Sequence, residues 1–244
     1  WGHLGVVQCL LDRGADIDAI RQTLGTLLQA ALEGGHFDVA DVLLSRGAEI
    51  DKRWTMFGSC LQVFSERGNI KTVEFLLQRG ANVEDCGGEN GNALQVACNA
   101  GHIDIVKLLL DSGADVRSRG RNIGNALQAA SLAGHLDIVK LLVHRGIGVD
   151  EADGNSETAL CLAAKNGDEH MMNFLLQQGA KVDGKFILSG DRPDNLESGG
   201  EVGRDENLVA IPLHLASVHG HESGVSILLQ NGANVHAKGK LRLK

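Results

Sequence analysis

The chain has 244 residues, 43% hydrophobic and 22% charged, enough for a buried core. A net charge of −8 argues against general attraction to nucleic-acid phosphates or anionic lipid, and no apolar run reaches the roughly 20 residues that span a bilayer. Aromatic residues are only 3%, with no tyrosine, so the core must be built from small aliphatic contacts.

Residues 1–19 read as the second half of a repeat: Val6, Val7, Leu10 and Leu11 form an apolar stripe with no preceding helix to cover it. Gly14-Ala15 then opens a series. Gly-Ala recurs at Gly47-Ala48, Gly80-Ala81, Gly113-Ala114 and Gly179-Ala180, with Gly146-Ile147 in the intermediate slot, in steps of 33 residues. A second marker keeps the same period: Gly2-His3, Gly35-His36, Gly101-His102 and Gly134-His135, with Gly68-Asn69 and Gly167-Asp168 in register. Repeats are expected at 1–19 (partial), 20–52, 53–85, 86–118, 119–151 and 152–184. A flexible insertion at 185–203 and a seventh repeat at 204–237 follow, and 238–244 is the start of a further repeat or a tail. The whole is expected to be one continuous domain.

The fifth repeat shows the local logic. Asn125 caps a short helix beginning Ala126-Leu127-Gln128, because its side-chain oxygen accepts an orphan N–H of the first turn. Gly134 ends that helix, Ile138, Val139, Leu141 and Leu142 form the stripe of a second, and Gly146 ends it. Such a pair is too short to be stable alone and must bury its apolar face against neighbouring pairs. Small alanines (Ala31, Ala97, Ala130, Ala163, Ala216) allow close helix approach; Phe64 occupies that slot in the third repeat, which is therefore expected to be spread or repacked. Gly224 lies inside the last helix, at a cost of about 1 kcal/mol relative to Ala, so the seventh repeat should fray before the fourth and fifth.

These residues resemble the ankyrin repeat, whose signature reads Thr-Pro-Leu-His-x-Ala-Ala, then Gly-His, Leu-Leu and Gly-Ala-Asp-Val. The opening tetrapeptide is degenerate here: Thr26-Leu27-Leu28-Gln29, Ser59-Cys60-Leu61-Gln62, Asn92-Ala93-Leu94-Gln95 and Asn125-Ala126-Leu127-Gln128, with Pro and His together only at Pro212 and His214. Thr, Ser and Asn can all cap, and Gln donates and accepts much as neutral His does. The wording is similar to arrays in fungal proteins, often joined to NACHT-type NTPase modules. The resemblance implies an all-α ankyrin-repeat solenoid with short β-hairpin fingers. It implies a function in protein–protein recognition through the fingers and the concave face they form with the first helices. The alternative is the sensing or autoregulatory array of a larger signalling enzyme, which a start inside a repeat favours.

No P-loop, HExxH, GxSxG or GxGxxG is present, so neither a catalytic constellation nor a cofactor site is expected. Five scattered cysteines without a CxxC pair read as reduced thiols of an intracellular, cytoplasmic or nuclear protein. Cys98 and Cys161 read as core residues rather than nucleophiles. The resemblance gives His3, His36, His102, His135 and His221 a turn-stabilising role; one repeat apart, they cannot converge on a metal, and the closer group of His214, His219 and His221 mostly fills ordinary repeat slots.

The partner-binding candidates are the finger charges, expected to form an ordered row about 10 Å apart. They are Arg21 in the first finger, Lys52, Arg53 and Trp54 in the second, and Glu84 and Asp85 in the third. The fourth contributes Arg117, Arg119 and Arg121, and the fifth Glu151 and Asp153. Trp54 is either an exposed anchor or packs against Phe57 and Phe64. First-helix ends add Glu33, Glu66, Arg67, Asn99, Leu132, Lys165 and His219. The expected partner is another protein with alternating acidic and basic groups, bound by a monomer, with no nucleic acid or membrane involved.

Overall fold

The computed structural model describes residues 2–17, 26–53, 58–86, 91–120, 124–151, 158–184, 186–188 and 208–237. Thirteen helices are found among them. The first seven are α1 (Leu4–Asp12), α2 (Leu27–Glu33), α3 (Phe37–Ser45), α4 (Cys60–Glu66), α5 (Ile70–Gln78), α6 (Ala93–Ala100) and α7 (Ile103–Asp111). The short strands β1 (Arg119–Gly120) and β2 (Gly124–Asn125) come next. After them come α8 (Ala126–Ala133), α9 (Leu136–His144), α10 (Ala159–Asn166), α11 (Glu169–Gln177), β3 (Phe186–Leu188), β4 (Leu208–Ala210), α12 (Pro212–Val218) and α13 (Glu222–Gln230). The fold class is the expected one: all-α, built from short helix pairs.

Two compact units divide the chain, Trp1–Asn122 and Ile123–Lys244. In the first, α1 packs on α3, α2 on α3, α4 on α5 and α6, and α7 on α5 and α6. In the second, α8 packs on α9 and α10, α10 on α11 and α12, and α13 on α11 and α12. Burial follows the period. Leu28, Leu61, Leu94, Leu127 and Leu160 are fully enclosed near the start of successive first helices, and Ala97, Ala130, Ala163 and Ala216 have no exposed surface. Phe64, in the alanine slot, is itself buried. Gly224 is buried too, and a Cβ there would meet His221, Met172 and Ala216 only at 3.5–3.6 Å, so nothing steric requires glycine.

The first helices begin as capping boxes. Thr26, Asn92 and Asn125 each accept the N–H of the glutamine three residues on, and each glutamine Oε1 accepts the cap's own N–H, at 2.7–2.8 Å. In the third repeat Ser59 N–H donates to Gln62 Oε1 at 2.6 Å, while the serine hydroxyl is buried without a partner.

Strands β3 and β4 pair antiparallel, Phe186 opposite Ala210 and Leu188 opposite Leu208. The first of these strands falls inside the stretch assigned from sequence to the insertion, so the ladder brackets 189–207 between the two strands of one finger. Ion pairs cross between repeats in the first compact unit, Arg46–Asp12 at 2.8 Å, Arg67–Glu33 at 2.7 Å and Arg79–Asp41 at 2.8 Å, and Arg53–Asp85 at 3.3 Å joins two neighbouring fingers. Arg79 also lies over the Phe75 ring, 4.9 Å from its centroid, and Phe75 meets Phe37 at 5.0 Å.

The Gly-His pair does more than end a helix. Gly68 has φ +76°, a conformation that disfavours any Cβ. The His102 ring of the next repeat also occupies the space: an added Cβ would lie 2.6 Å from its Cε1. That ring donates from Nε2 to Glu66 O at 2.9 Å. Gly35 has a similar φ of +70° but nothing within 4 Å of a built Cβ. Gly35→Ala should therefore cost only the left-handed strain, about 1–2 kcal/mol. Gly68→Ala should cost roughly 2–3 kcal/mol, because the ring and its hydrogen bond are displaced as well. Urea denaturation of the two variants checks the difference; equal losses contradict the packing argument.

Candidate partner-binding surface

Each finger starts where a second helix ends in a left-handed glycine, as at Gly80 and Gly113. The next Asn or Asp then folds the backbone over its side chain: Asn82 Oδ1 accepts from Glu84 N, Asp115 Oδ1 from Arg117 N and Asn234 Oδ1 from His236 N, at 2.9–3.0 Å. This turn sends the finger away from the helices and sets the direction of the charges that follow.

The carboxylates of these fingers face inward along the array. Asp51 accepts from Asn82 N at 3.0 Å, Glu84 from Asp115 N at 2.7 Å, Asp150 from Lys181 N at 2.9 Å and Asp183 from Asn234 N at 3.1 Å. In every case an acid in one finger takes the backbone N–H that opens the next. Glu84 also accepts from Asn92 Nδ2 at 3.3 Å. Asp85, its side chain only 13% exposed, accepts from Arg53 Nη2 at 3.3 Å. Glu151 accepts from Gly148 N at 3.1 Å. The acidic candidates Glu84, Asp85 and Glu151 are thus joined to their own or a neighbouring finger.

Arg117 stands in register with Asp51, Glu84, Asp150 and Asp183, and a guanidinium has no acceptor to offer. Arg117 and Arg119 are both exposed, as is Arg53; Lys52 is half-buried. Arg21, Trp54, Arg121 and Asp153 lie outside the described residues, as do Met56, Phe57, Glu89 and Glu157. At the first-helix ends, Glu33 pairs with Arg67, and Leu132 projects 45% exposed. In the seventh repeat the position in register with Leu132 and Lys165 is Val218, 49% exposed, rather than His219, whose Nδ1 donates to Leu215 O at 2.9 Å.

Sequence reasoning recognised the motif glutamines as hydrogen-bonding residues but not their destination. Gln62 Nε2 donates to Asp85 O at 3.0 Å and also to Gly91 O. Gln95 Nε2 reaches Ser118 O at 2.7 Å, and Gln128 Nε2 reaches Glu151 O at 3.4 Å. Cys161, in the same slot, directs its thiol to Gly184 O at 3.9 Å. Apart from Gly91, the carbonyl lies 23 residues ahead each time, at the end of the same repeat, where the finger leading into the next repeat begins. The signal was the shared slot of Gln62, Gln95 and Gln128, fixed within one period.

Two buried thiols are held in their protonated form. Burial pushes the Cys60 thiol up to about 12, and it pushes Cys98 up as well. The neighbouring Gln29 side chain acts on Cys60 in the opposite, smaller sense. No cluster of three metal-ligating side chains occurs among the described residues, and none of their helices is long and apolar enough to cross a membrane.

A family model described as ankyrin repeats (3 copies) matches residues 55–120 and 127–239, more than half of the chain. The crystal structure of the human ASB11 ankyrin repeat domain superposes with a TM-score of 0.68 at 20% identity, covering 88% of this chain and 87% of that one. No curated protein matches.

Two outcomes are expected. Gln95→Met keeps the bulk but strands the Asn92 amide and the Ser118 carbonyl, and should lower stability by roughly 2–3 kcal/mol in urea denaturation. Iodoacetamide at pH 8 should label exposed Cys9 and Cys86 in the native protein, while buried Cys60, Cys98 and Cys161 react only after unfolding; mass spectrometry of the labelled peptides reads this directly.

Proposed function

The chain belongs to the ankyrin repeat family, and we propose that it is a non-catalytic scaffold that binds an acidic segment of a partner protein through its fourth finger. Repeats of this family generally mediate protein–protein interaction. The observation that carries the finer reading is the contrast between finger charges. Asp51, Glu84, Asp85, Asp150, Glu151 and Asp183 are occupied with backbone amides or a neighbouring guanidinium. Arg117 stands exposed in the slot where Asp51, Glu84, Asp150 and Asp183 carry acid, and Arg119 is exposed two residues further on.

The guanidinium groups of Arg117, in the turn that Asp115 forms, and of Arg119, in the strand that follows, offer planar, bidentate docking to carboxylates. A partner segment with two or more closely spaced Asp or Glu side chains fits this finger. Lys52, Arg53 and Trp54 of the second finger, together with Arg21, Arg121 and Asp153, complete the proposed contact row. Trp54 is the residue in it best suited to supply a central apolar anchor.

The test is affinity capture followed by mass spectrometry, with four baits compared side by side. The wild-type chain should retain a partner that an Arg117→Glu/Arg119→Glu variant loses, and Trp54→Ala should weaken the same capture. Lys140→Glu, on the outer helix α9, should leave it intact. Added salt should weaken it, because exposed charge pairs are screened. A partner held equally by all the baits removes the fourth finger from the interface.

A further inference from the structure

Counting from the N-cap of each first helix as zero, the seventh residue is Glu33, Glu66, Asn99, Leu132, Lys165 or Val218. In three repeats its backbone carbonyl receives a side chain from the repeat that follows. His102 Nε2 donates to Glu66 O at 2.9 Å, and His221 Nε2 donates to Lys165 O at 3.0 Å. At Leu132 O the donor is different: Asn166 Nδ2, at 2.8 Å. Asn166 occupies the eighth position of its own first helix, not the turn position that His102 and His221 fill.

The turn position of that repeat holds Asp168, which cannot donate to a carbonyl as a carboxylate. It caps its own second helix instead, accepting from Met171 N at 3.0 Å. The third repeat makes a related exchange, at the seventh residue's side chain rather than at its carbonyl. Its turn residue Asn69 accepts from Thr72 N at 3.2 Å, and its eighth residue Arg67 reaches back to the preceding repeat's seventh residue, meeting Glu33 Oε1 at 2.7 Å. The histidine repeats are complementary: α7 and α13 start without a side-chain cap, and the eighth residue beside His102 is Ala100. Where both positions are long and polar, in the seventh repeat, the eighth residue His219 folds onto its own helix at Leu215 O.

We propose that the eighth first-helix position and the turn position are alternative carriers of one inter-repeat hook, so that Asn166 and Arg67 position the preceding repeat wherever the turn histidine has been exchanged for a helix cap. The physical reason is that one turn side chain cannot do both jobs. Oriented to accept the second helix's N–H it faces forward; oriented to donate to the earlier carbonyl it faces back, over the glycine that the ring covers at Gly68 and Gly167. A turn Asn or Asp leaves that carbonyl to another donor, and the eighth position is one helical step away. The hook holds the backbone of the residues whose side chains, Leu132 and Lys165 among them, stand at the first-helix ends.

A double-mutant cycle on the full chain separates this from simple loss of a contact. Asn166→Ala should lower the urea midpoint clearly in the wild-type background. In an Asp168→His background, where a ring can take the Leu132 carbonyl, the same change should have less than half that effect. The imidazole introduced at position 168 should show the nitrogen chemical shifts of an Nε2–H tautomer. The mirror experiment guards against a variant that does not fold: His102→Ala should lower the midpoint, and adding Ala100→Asn should recover at least half of the loss. Additive shifts in the first cycle, or no recovery in the second, overturn the proposal, because residues not sharing a hook act independently.

Discussion

A primary carboxamide has one acceptor oxygen and two N–H donors, and the repeats of this chain depend on both ends being used at once. In Gln95 the oxygen closes the start of α6 on Asn92 N–H, and the nitrogen clasps Ser118 O in the finger that leads into the next repeat. The same side chain thus nucleates a helix too short to persist alone and fixes the neighbour that makes it persist. Both ends are buried, so neither bond is exchanged for water without leaving an unpaired group. Gln62 and Gln128 repeat the arrangement. Cys161 replaces it with a weaker thiol contact at 3.9 Å.

Around that clasp, each seam between repeats has its own secondary fastening. The first compact unit adds ion pairs that cross from one repeat or finger to the next, from Asp12–Arg46 to Arg53–Asp85. Their side chains are mostly 40–60% exposed, so each contributes at most about 1 kcal/mol and loses much of it to salt. In the second unit, hydrogen bonds to carbonyls from Asn166 and His221 add to the fastening. Identical helices are therefore joined by different chemistry along one array.

The same accounting separates joinery from recognition. A finger acid that accepts the next finger's N–H spends its charge on the array, as Glu84 does with Asp115 N at 2.7 Å. A finger base in that slot cannot, and its side chain is left on the exposed side. The acidic balance of the whole chain, −8, consequently says little about the charge that a partner meets.

The period of 33 residues, carried by two markers, determined the helix pairs, their caps, their buried faces and the family, because each of those depends on contacts within one period or between identical neighbours. The linear chain also showed that Gln62, Gln95 and Gln128 share a slot, since capping is local. It could not show that their second bond falls 23 residues ahead. Nor could it show that Glu84, Asp85, Asp150 and Glu151 answer amides and guanidinium groups rather than solvent, or that Asn166 does the work that His221 does one repeat later. Those outcomes depend on which polar groups the stacking of one repeat on the next brings within about 3 Å, a distance that composition and periodicity do not contain and only the packed tertiary structure decides.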